Sequence, residues 1–150
     1  MRPLENIRVL DLSRVYAAPA GTMMLGDLGA EVIRVEQPGG SDSTRGWGPY
    51  AGGQSTYYLC ANRNKKSILL DLKDEADREE FLELVRESDI VVDNFKTGDL
   101  KRMGLDYAQL KAVNPQIIHC SVTGFGQTGP LAFEPGFDPV IQAMSGLMDV

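Results

Sequence analysis

The sequence predicts an α/β fold in which helices cover both faces of a parallel sheet. Short segments rich in β-branched and aliphatic residues alternate with segments of helical length, and the links between them are short. Hydrophobic residues make up 43% of the 150 residues, which is enough for a packed core. No stretch approaches the roughly 18 consecutive apolar residues that a membrane span needs.

The first half of the chain supplies two strands and a helix. Residues 7–12 form a predicted strand, a small-residue helix covers about 20–28, and Glu31–Glu36 form a second strand. Gly29 is a plausible cap for the carboxyl end of that helix. Residues 37–53 are rich in Gly, Pro, Ser and Asp, which predicts a long irregular loop.

The second half repeats the alternation. Asp74 is the expected N-cap of an acidic helix, and Asp106 is the expected N-cap of a shorter one. The remaining predicted elements are strands at 67–72, 90–92 and 117–122, helices at 75–87, 106–113 and from 138 onward, and a short helical piece around Leu100 and Met103.

The composition excludes several classes of function. A formal net charge of -6 argues against general affinity for nucleic acid or an anionic membrane, although it leaves room for a local basic pocket. One histidine, His119, and two distant cysteines, Cys60 and Cys120, remove most metal, disulfide and Ser-His schemes. We expect no metal site, structural roles for His119 and Cys120, and a cytoplasmic protein.

The opening strand–helix–strand unit imitates a dinucleotide-binding fingerprint, with acidic Glu36 ending the second strand. The turn lacks the GxGxxG pattern, and Ala17 and Ala18 carry β-carbons where a pyrophosphate needs bare backbone. An NAD-dependent oxidoreductase domain therefore remains an alternative, and it is disfavoured. Another nucleotide-containing ligand in the same crevice is compatible with the sequence.

Ligands of parallel sheets bind beyond the carboxyl ends of the strands. Two features fall near such ends, a third lies just before a predicted strand, and each has two interpretations. The basic cluster 62–67 is either a solvated turn or a contact for a phosphorylated ligand. Residues 94–96 are either an ordinary turn or a purine and phosphate contact, and the glycine-rich loop 123–130 is either a tight connection or an oxyanion nest.

Taken together, the segments resemble the family III CoA-transferases, the group that includes the formyl-CoA and carnitine CoA-transferases. The wording is most similar to members that move CoA between dicarboxylic acids with succinyl-CoA. The matching pieces run in family order and cover nearly the whole chain: IRVLDLSRVYAAPAGTMMLGDLGAEVIRVEQP, SDSTRGWGP, NRNKKSILLDL, DNFKTGDLKRMGL, SVTGFGQTGP and GFDPVIQAMSGLM.

The resemblance implies a Rossmann-like large domain that binds CoA, a smaller domain later in the chain, and an interlocked homodimer. Residues 1–150 are then an N-terminal fragment of the large domain, and the amphipathic pattern that runs into Val150 agrees with truncation. The implied substrates are an acyl-CoA and a carboxylic acid acceptor. CoA is a substrate in this scheme, and no permanently bound cofactor is expected.

The family mechanism uses one Asp carboxylate, which forms a mixed anhydride and then an aspartyl-CoA thioester. The family's Asp falls beyond Val150, so we assign no catalytic residue within this chain. Asp11, Asp27, Asp138 and Asp149 do not match the motif. We therefore expect the 150-residue chain alone to be inactive. A non-catalytic CoA-binding fragment is a further alternative.

The resemblance also assigns ligand contacts. Tyr16 and Ala17 line the loop next to the thioester, and Gln37 lies where some members place an Arg near the ribose phosphate. The other implied contacts are Leu70, Asp71, Leu72 and Lys73 for adenosine, Asn94, Phe95, Lys96 and Arg102 for adenosine and phosphate, and Pro135, Gly136, Phe137 and Asp138 for pantetheine and thioester.

Two positions depart from the family pattern. The formyl-CoA enzyme has Gln where this chain has Tyr16, so the contact to the acyl group must differ. Related 2-methylacyl-CoA racemases carry an acid/base His where this chain has Phe137, and a phenyl ring exchanges no proton. The racemase alternative is therefore disfavoured. Transferases commonly have Tyr there, and Phe137 lacks its hydroxyl.

Overall fold

The computed structural model describes residues 2–40 and 42–149. In this part of the chain, strands and helices alternate from the first strand onward. The elements are β1 (Arg8–Asp11), α1 (Ala17–Asp27), β2 (Glu31–Glu36), a 3-10 turn (Ser43–Gly46), β3 (Tyr50–Ala51), β4 (Gln54–Ser55), α2 (Thr56–Asn62), β5 (Lys65–Leu69), α3 (Glu75–Arg86), β6 (Ile90–Asp93), α4 (Asp99–Arg102), α5 (Tyr107–Val113), β7 (Ile118–Ser121), α6 (Asp138–Met144) and a last 3-10 turn (Leu147–Asp149).

Five strands form one parallel sheet in the order β5-β2-β1-β6-β7, and β3 with β4 forms a small antiparallel hairpin. The chain runs outward from β1 to β5 and then returns to the other side of β1. The strand order therefore reverses between β1 and β6, and a crevice opens at their carboxyl ends. This arrangement confirms the predicted parallel α/β fold, and its strand order is Rossmann-like.

Successive side chains of each strand point to opposite faces, so the sheet has a core on each side. On one face Leu10 and Val35 pack with Phe81 of α3, and α3 packs against α5. On the other face Val9 and Val32 pack with Ala18 of α1, and α1 packs against α2. Helices thus cover both faces, as predicted.

The segment between β2 and β5 holds the elements that the sequence analysis missed. The expected loop 37–53 contains a 3-10 turn and the strand β3, and helix α2 follows β4. Ser55 caps α2 because its hydroxyl accepts a hydrogen bond from the Tyr58 amide at 3.2 Å. The strand predicted at 67–72 is observed at Lys65–Leu69, in register with β2.

The carboxyl-terminal part is thinly packed. Helix α6 contributes no buried side chain to the part of the chain that the structure describes. Within the same residues, no helix is long and apolar enough to cross a membrane. Helix α6 therefore contributes no residue to either core of the sheet.

Replacing Phe81 by Ala tests the larger core. Phe81 is fully buried between α3 and the sheet, so Phe81→Ala should lower the free energy of unfolding by about 3–5 kcal/mol. Glu79→Ala, an exposed position on the same helix, is the matched control and should change it by less than about 0.5 kcal/mol. Urea unfolding followed by circular dichroism measures both, and equal effects would contradict this assignment of the core.

Candidate functional site

A cleft of about 370 Å³ lies at the carboxyl ends of the parallel strands, and we call it the carboxyl-edge cleft. Its walls come from the segments that follow β1, β2, β5 and β6, together with α4. The lining residues are Leu12, Arg14, Val35, Gln37, Leu70, Asp71, Leu72, Lys73, Phe95, Asp99, Arg102 and Met103. This is the position in which parallel α/β sheets bind their ligands.

The carboxyl-edge cleft combines an apolar floor with a charged rim. Its buried side chains are aliphatic, whereas the cations Arg14, Lys73 and Arg102 stand around it. Asp99 is the ion-pair partner of Arg102. An apolar floor with cations at the rim suits a ligand that carries a flat apolar part and several anionic groups.

Six of the predicted site residues meet in this cleft. They come from three segments that are far apart in sequence, the ends of β2, β5 and β6 with α4. The six are Gln37, Leu70, Leu72, Lys73, Phe95 and Arg102, and the adenosine segment adds Asp71. The strand order brings these segments to one edge, and no local sequence pattern alone would do so.

Arg14 is a cleft residue that the sequence analysis passed over. Asn94, a predicted ligand contact, instead binds the backbone of Arg14. Its Oδ1 accepts a hydrogen bond from the Arg14 amide and its Nδ2 donates one to the Arg14 carbonyl, both at 2.8 Å. The Arg14 guanidinium lies 4.9 Å from the centroid of the Phe95 ring. A cation two residues beyond Leu12, where the strand order reverses, was the available signal.

Lys96 faces a different concavity from its neighbour Phe95. It lines a broad second cleft of about 1030 Å³ beside β7, together with Tyr107 and His119. The His119 Nε2 atom lies 2.7 Å from Oδ2 of Asp93, whose side chain is buried. The structure therefore separates Lys96 from the six residues of the carboxyl-edge cleft.

Tyr16 and Ala17 lie where the chain enters α1. Ala17 is the first residue of the helix, and Tyr16 precedes it with no side-chain hydrogen bond to the first turn. The Tyr16 ring packs 5.9 Å from Tyr57, and Tyr57 packs 5.2 Å from Trp47. This row of partly exposed rings joins the loop to α2, and it depends on elements that the sequence analysis missed.

Pro135, Gly136, Phe137 and Asp138 lie outside the lining of the carboxyl-edge cleft, in the segment that leads into α6. Gly136 approaches the glycine-rich loop so closely that a β-carbon on it would stand 2.3 Å from the Gly124 Cα. Phe137 is 68% exposed, and Asp138 accepts a hydrogen bond from Gln142 at 2.6 Å. Glycine at 124 and 136 is thus required by backbone contact.

A set of buried and partly buried polar side chains connects β1, β2, β5, α2 and the loop after β2. We call Asp11, Arg34, Asp42, Asn62 and Lys65 the buried ion network. The Lys65 ammonium lies 2.8 Å from Asp11 Oδ2 and 3.0 Å from Asn62 Oδ1, and Asn62 Oδ1 also accepts from Arg34 at 2.5 Å. Arg34 in turn pairs with Asp42. Burial lowers the pKa of Lys65, and the carboxylate of Asp11 opposes that shift.

The contacts of the basic cluster 62–67 distinguish between its two interpretations. Lys65 is neither a solvated residue nor a ligand contact, because its side chain is only 2% exposed and holds Asp11. Arg63 pairs with Asp27, and Lys66 pairs with Glu31, at 2.5 Å each. The phosphate-contact interpretation of this cluster is therefore not supported.

Glu36 sits beside the network with its carboxylate fully engaged. It accepts hydrogen bonds from Arg45 at 2.6 and 2.8 Å, from Ser67 at 2.9 Å and from Tyr58 at 3.1 Å. Burial opposes ionisation, but the bonds from Arg45 and Ser67 and the charge of Arg34 outweigh it, so the pKa of Glu36 falls to about 2. Burial also raises the pKa of Tyr58 to about 12. A ribose hydroxyl would have to displace these partners.

The geometry defines a crevice at the carboxyl edge of a parallel sheet, where such folds bind ligands, and the comparisons identify the family of the chain. The model of CoA-transferase family III matches residues 4–150, so the chain belongs to that family. In the solved structures, a CAIB/BAIF family protein from Brucella suis superposes with a TM-score of 0.94 at 48% identity, covering 99% of this chain and 40% of that one. A hypothetical protein from Mycobacterium tuberculosis superposes with a TM-score of 0.90 at 38% identity, covering 98% of this chain and 41% of that one.

Curated relatives carry the names of individual transferases. The mouse succinyl-CoA:glutarate CoA-transferase is 51% identical over 100% of this chain and 35% of its own length. The acetyl-CoA:oxalate CoA-transferase of Acetobacter aceti is 50% identical over 97% of this chain and 38% of its own length. The chain therefore spans well under half the length of these relatives.

Glu36→Gln tests the electrostatic account of the site. Because the folded pKa of about 2 lies below the usual 4.5, ionised Glu36 stabilises the fold above pH 4.5, and this contribution disappears as the pH falls toward 2. Glu36→Gln should lower the free energy of unfolding at pH 7 by about 3 kcal/mol and flatten its decline on acidification.

Urea unfolding at stepwise pH measures this effect. Glu79→Gln, at an exposed position on α3, is the control, because it removes a carboxylate that takes no part in the contacts of Glu36. If Glu36→Gln leaves the acid limb of the stability curve unchanged, the pairing of Glu36 with Arg45 and Ser67 does not hold in solution.

Gly136→Ala tests the close backbone contact. The added methyl would collide with the Gly124 backbone, so the two segments must separate and thermal stability should fall. Gly46→Ala is the control, because a β-carbon at Gly46 meets nothing within 4 Å. Calorimetric melting should distinguish the variants, and identical melting temperatures would contradict the contact.

Proposed function

We propose that this chain is the CoA-binding part of an acyl-CoA:carboxylate CoA-transferase, with the nucleophilic Asp in polypeptide beyond residue 150. The observation that carries the proposal is the carboxyl-edge cleft, where six residues expected to hold CoA come together from distant segments. Membership of CoA-transferase family III supports it.

The proposed binding mode follows from the two parts of the cleft. The adenine lies over the apolar floor near Leu70 and Leu72, and Phe95 closes one side. The phosphates are held by the rim cations Arg14, Lys73 and Arg102, which carry charges complementary to them. Gln37 faces the ribose in place of an Arg. Asn94 supports the cleft from outside its lining by holding the backbone of Arg14.

The thioester is proposed to lie at the entrance to α1, beside Tyr16 and Ala17. The first amides of a helix have no partner within the helix and point outward, and no side chain caps them here. Such amides stabilise the negative oxygen of a tetrahedral intermediate. The segment 135–138 is proposed to approach the pantetheine when the remainder of the protein surrounds α6.

In the proposed reaction, an Asp carboxylate oxygen bonds to the thioester carbonyl carbon, and CoA leaves as its thiolate. The thiolate then attacks the aspartyl carbonyl of the resulting anhydride and releases the donor acid as a carboxylate. The aspartyl-CoA thioester reacts with the acceptor carboxylate by the same two steps in reverse order. A carboxylate suits this role because it is ionised at pH 7.

The proposed acids are dicarboxylates, with succinyl-CoA as the expected donor. Support comes from the names of the relatives, which pair succinyl-CoA with glutarate and acetyl-CoA with oxalate. Phe137 in place of a histidine supports transfer over racemisation, because it exchanges no proton. We also propose an interlocked homodimer for the complete protein, on the strength of the family resemblance.

Calorimetric titration of the complete protein with CoA tests the binding site. Arg14→Ala and Arg102→Ala should each weaken CoA binding by about tenfold, because each removes a cation from the phosphates. Arg63→Ala is the matched control, since Arg63 pairs with Asp27 and lies outside the cleft lining. NAD should bind far more weakly than CoA.

Two results would contradict the proposal. The first is tight binding of NAD with no detectable heat of CoA binding, which would favour a dinucleotide-dependent enzyme. The second is equal CoA affinity in Arg14→Ala, Arg102→Ala and Arg63→Ala. An assay of the complete protein with succinyl-, formyl- and oxalyl-CoA and dicarboxylate acceptors then identifies the acids.

A further inference from the structure

Val15 occupies a backbone conformation that its side chain disfavours. Its φ of 67° lies in the left-handed region, where a β-branched residue clashes with its own backbone. Val15 directly precedes Tyr16 and Ala17, so its conformation sets the direction in which the chain enters α1. Such a conformation persists only where surrounding contacts determine it.

The contact that holds Val15 comes from Asp42. The Val15 amide donates to Asp42 Oδ2 at 3.2 Å, and the side chain of Asp42 is completely buried. The same oxygen pairs with Arg34 in the buried ion network, while Oδ1 accepts from the amide and hydroxyl of Thr44 at 3.0 and 2.7 Å. Arg34 and Thr44 therefore fix both oxygens of Asp42 independently of Val15.

The residue before Val15 is held independently. Asn94 binds the amide and the carbonyl of Arg14, so the chain is anchored on the cleft side by the segment after β6. Asp42 anchors the next residue from the loop that follows β2, the strand on the other side of β1. Removing Asp42 should therefore release Val15, Tyr16 and Ala17 and leave Arg14 in the cleft.

We propose that Asp42 is a positioning residue for group transfer: by binding the Val15 amide it keeps Tyr16 and Ala17 at the thioester. This inference rests on the proposed function, which places the thioester at the entrance to α1. Asp42 touches no substrate. Its effect falls on the chemical steps, because the residues proposed to hold the adenine and the phosphates follow β1, β5 and β6 and not β2.

Steady-state kinetics and CoA titration of the complete enzyme, wild type and Asp42→Ala, test the proposal. Asp42→Ala should lower kcat at least tenfold and change the Kd for CoA less than about threefold, because a displacement of about 1 Å can slow a reaction about a hundredfold. Val85→Ala, a cavity variant in the α3 core, controls for lost stability and should keep the wild-type kcat.

A second background separates positioning from general loosening. Glycine adopts a left-handed φ without strain, so Val15→Gly should make the backbone less dependent on Asp42. The fold-loss of kcat caused by Asp42→Ala should therefore be about fivefold smaller in the Val15→Gly background than in the wild type. In a crystal structure of Asp42→Ala, Val15 should leave the left-handed region and the Tyr16 ring should leave Tyr57. Asp42→Asn, which matches the volume and loses one acceptor, replaces Asp42→Ala if the latter does not fold, with the same expected direction.

The outcomes are distinct. An unchanged kcat, a raised Kd with unchanged kcat, or an equal loss of kcat in the wild-type and Val15→Gly backgrounds would each overturn the role of Asp42. Wild-type enzyme that neither binds CoA nor transfers it would instead overturn the proposed function.

Discussion

The buried ion network is the constraint on which the positions of the site loops depend. Lys65 joins β5 to Asp11 of β1, and Arg34 of β2 joins Asn62 of α2 to Asp42 in the following loop. Removing one partner of a buried pair leaves an uncompensated charge, which costs about 3–5 kcal/mol. Alternative placements of the loop after β2 are therefore strongly disfavoured. The carboxylate of Asp42 in this loop also fixes the chain before α1, because it binds the Val15 amide.

The surroundings of the network also explain why a fold of the dinucleotide-binding kind lacks the usual dinucleotide contacts here. Glu36 lies where an acidic residue would hold the ribose, but Arg45, Tyr58 and Ser67 occupy its oxygens. The entrance to α1 carries alanines instead of the glycine pattern. The carboxyl-edge cleft, by contrast, presents apolar surface together with the cations of its rim.

Much of the fold was predictable because hydrophobic periodicity and capping residues act locally. The strand Glu31–Glu36 and the helix after Asp106 follow from these signals, and the parallel arrangement follows from the alternation. Side-chain direction was not predictable, since it depends on tertiary contacts. The side chain of Lys65 is buried against Asp11, and Phe95 and Lys96 face different clefts. The side-chain amide of Asn94 binds the backbone of Arg14.

We propose that the carboxyl-edge cleft holds CoA with its thioester end at the entrance to α1. A crystal structure of the complete protein with CoA bound tests it most directly. We expect the adenosine to lie against Leu70–Lys73, the phosphates at Arg14 and Arg102, and the sulfur beside Tyr16 and Ala17. Adenosine bound at an unrelated surface, with the cleft lined by the same residues but empty, would contradict it.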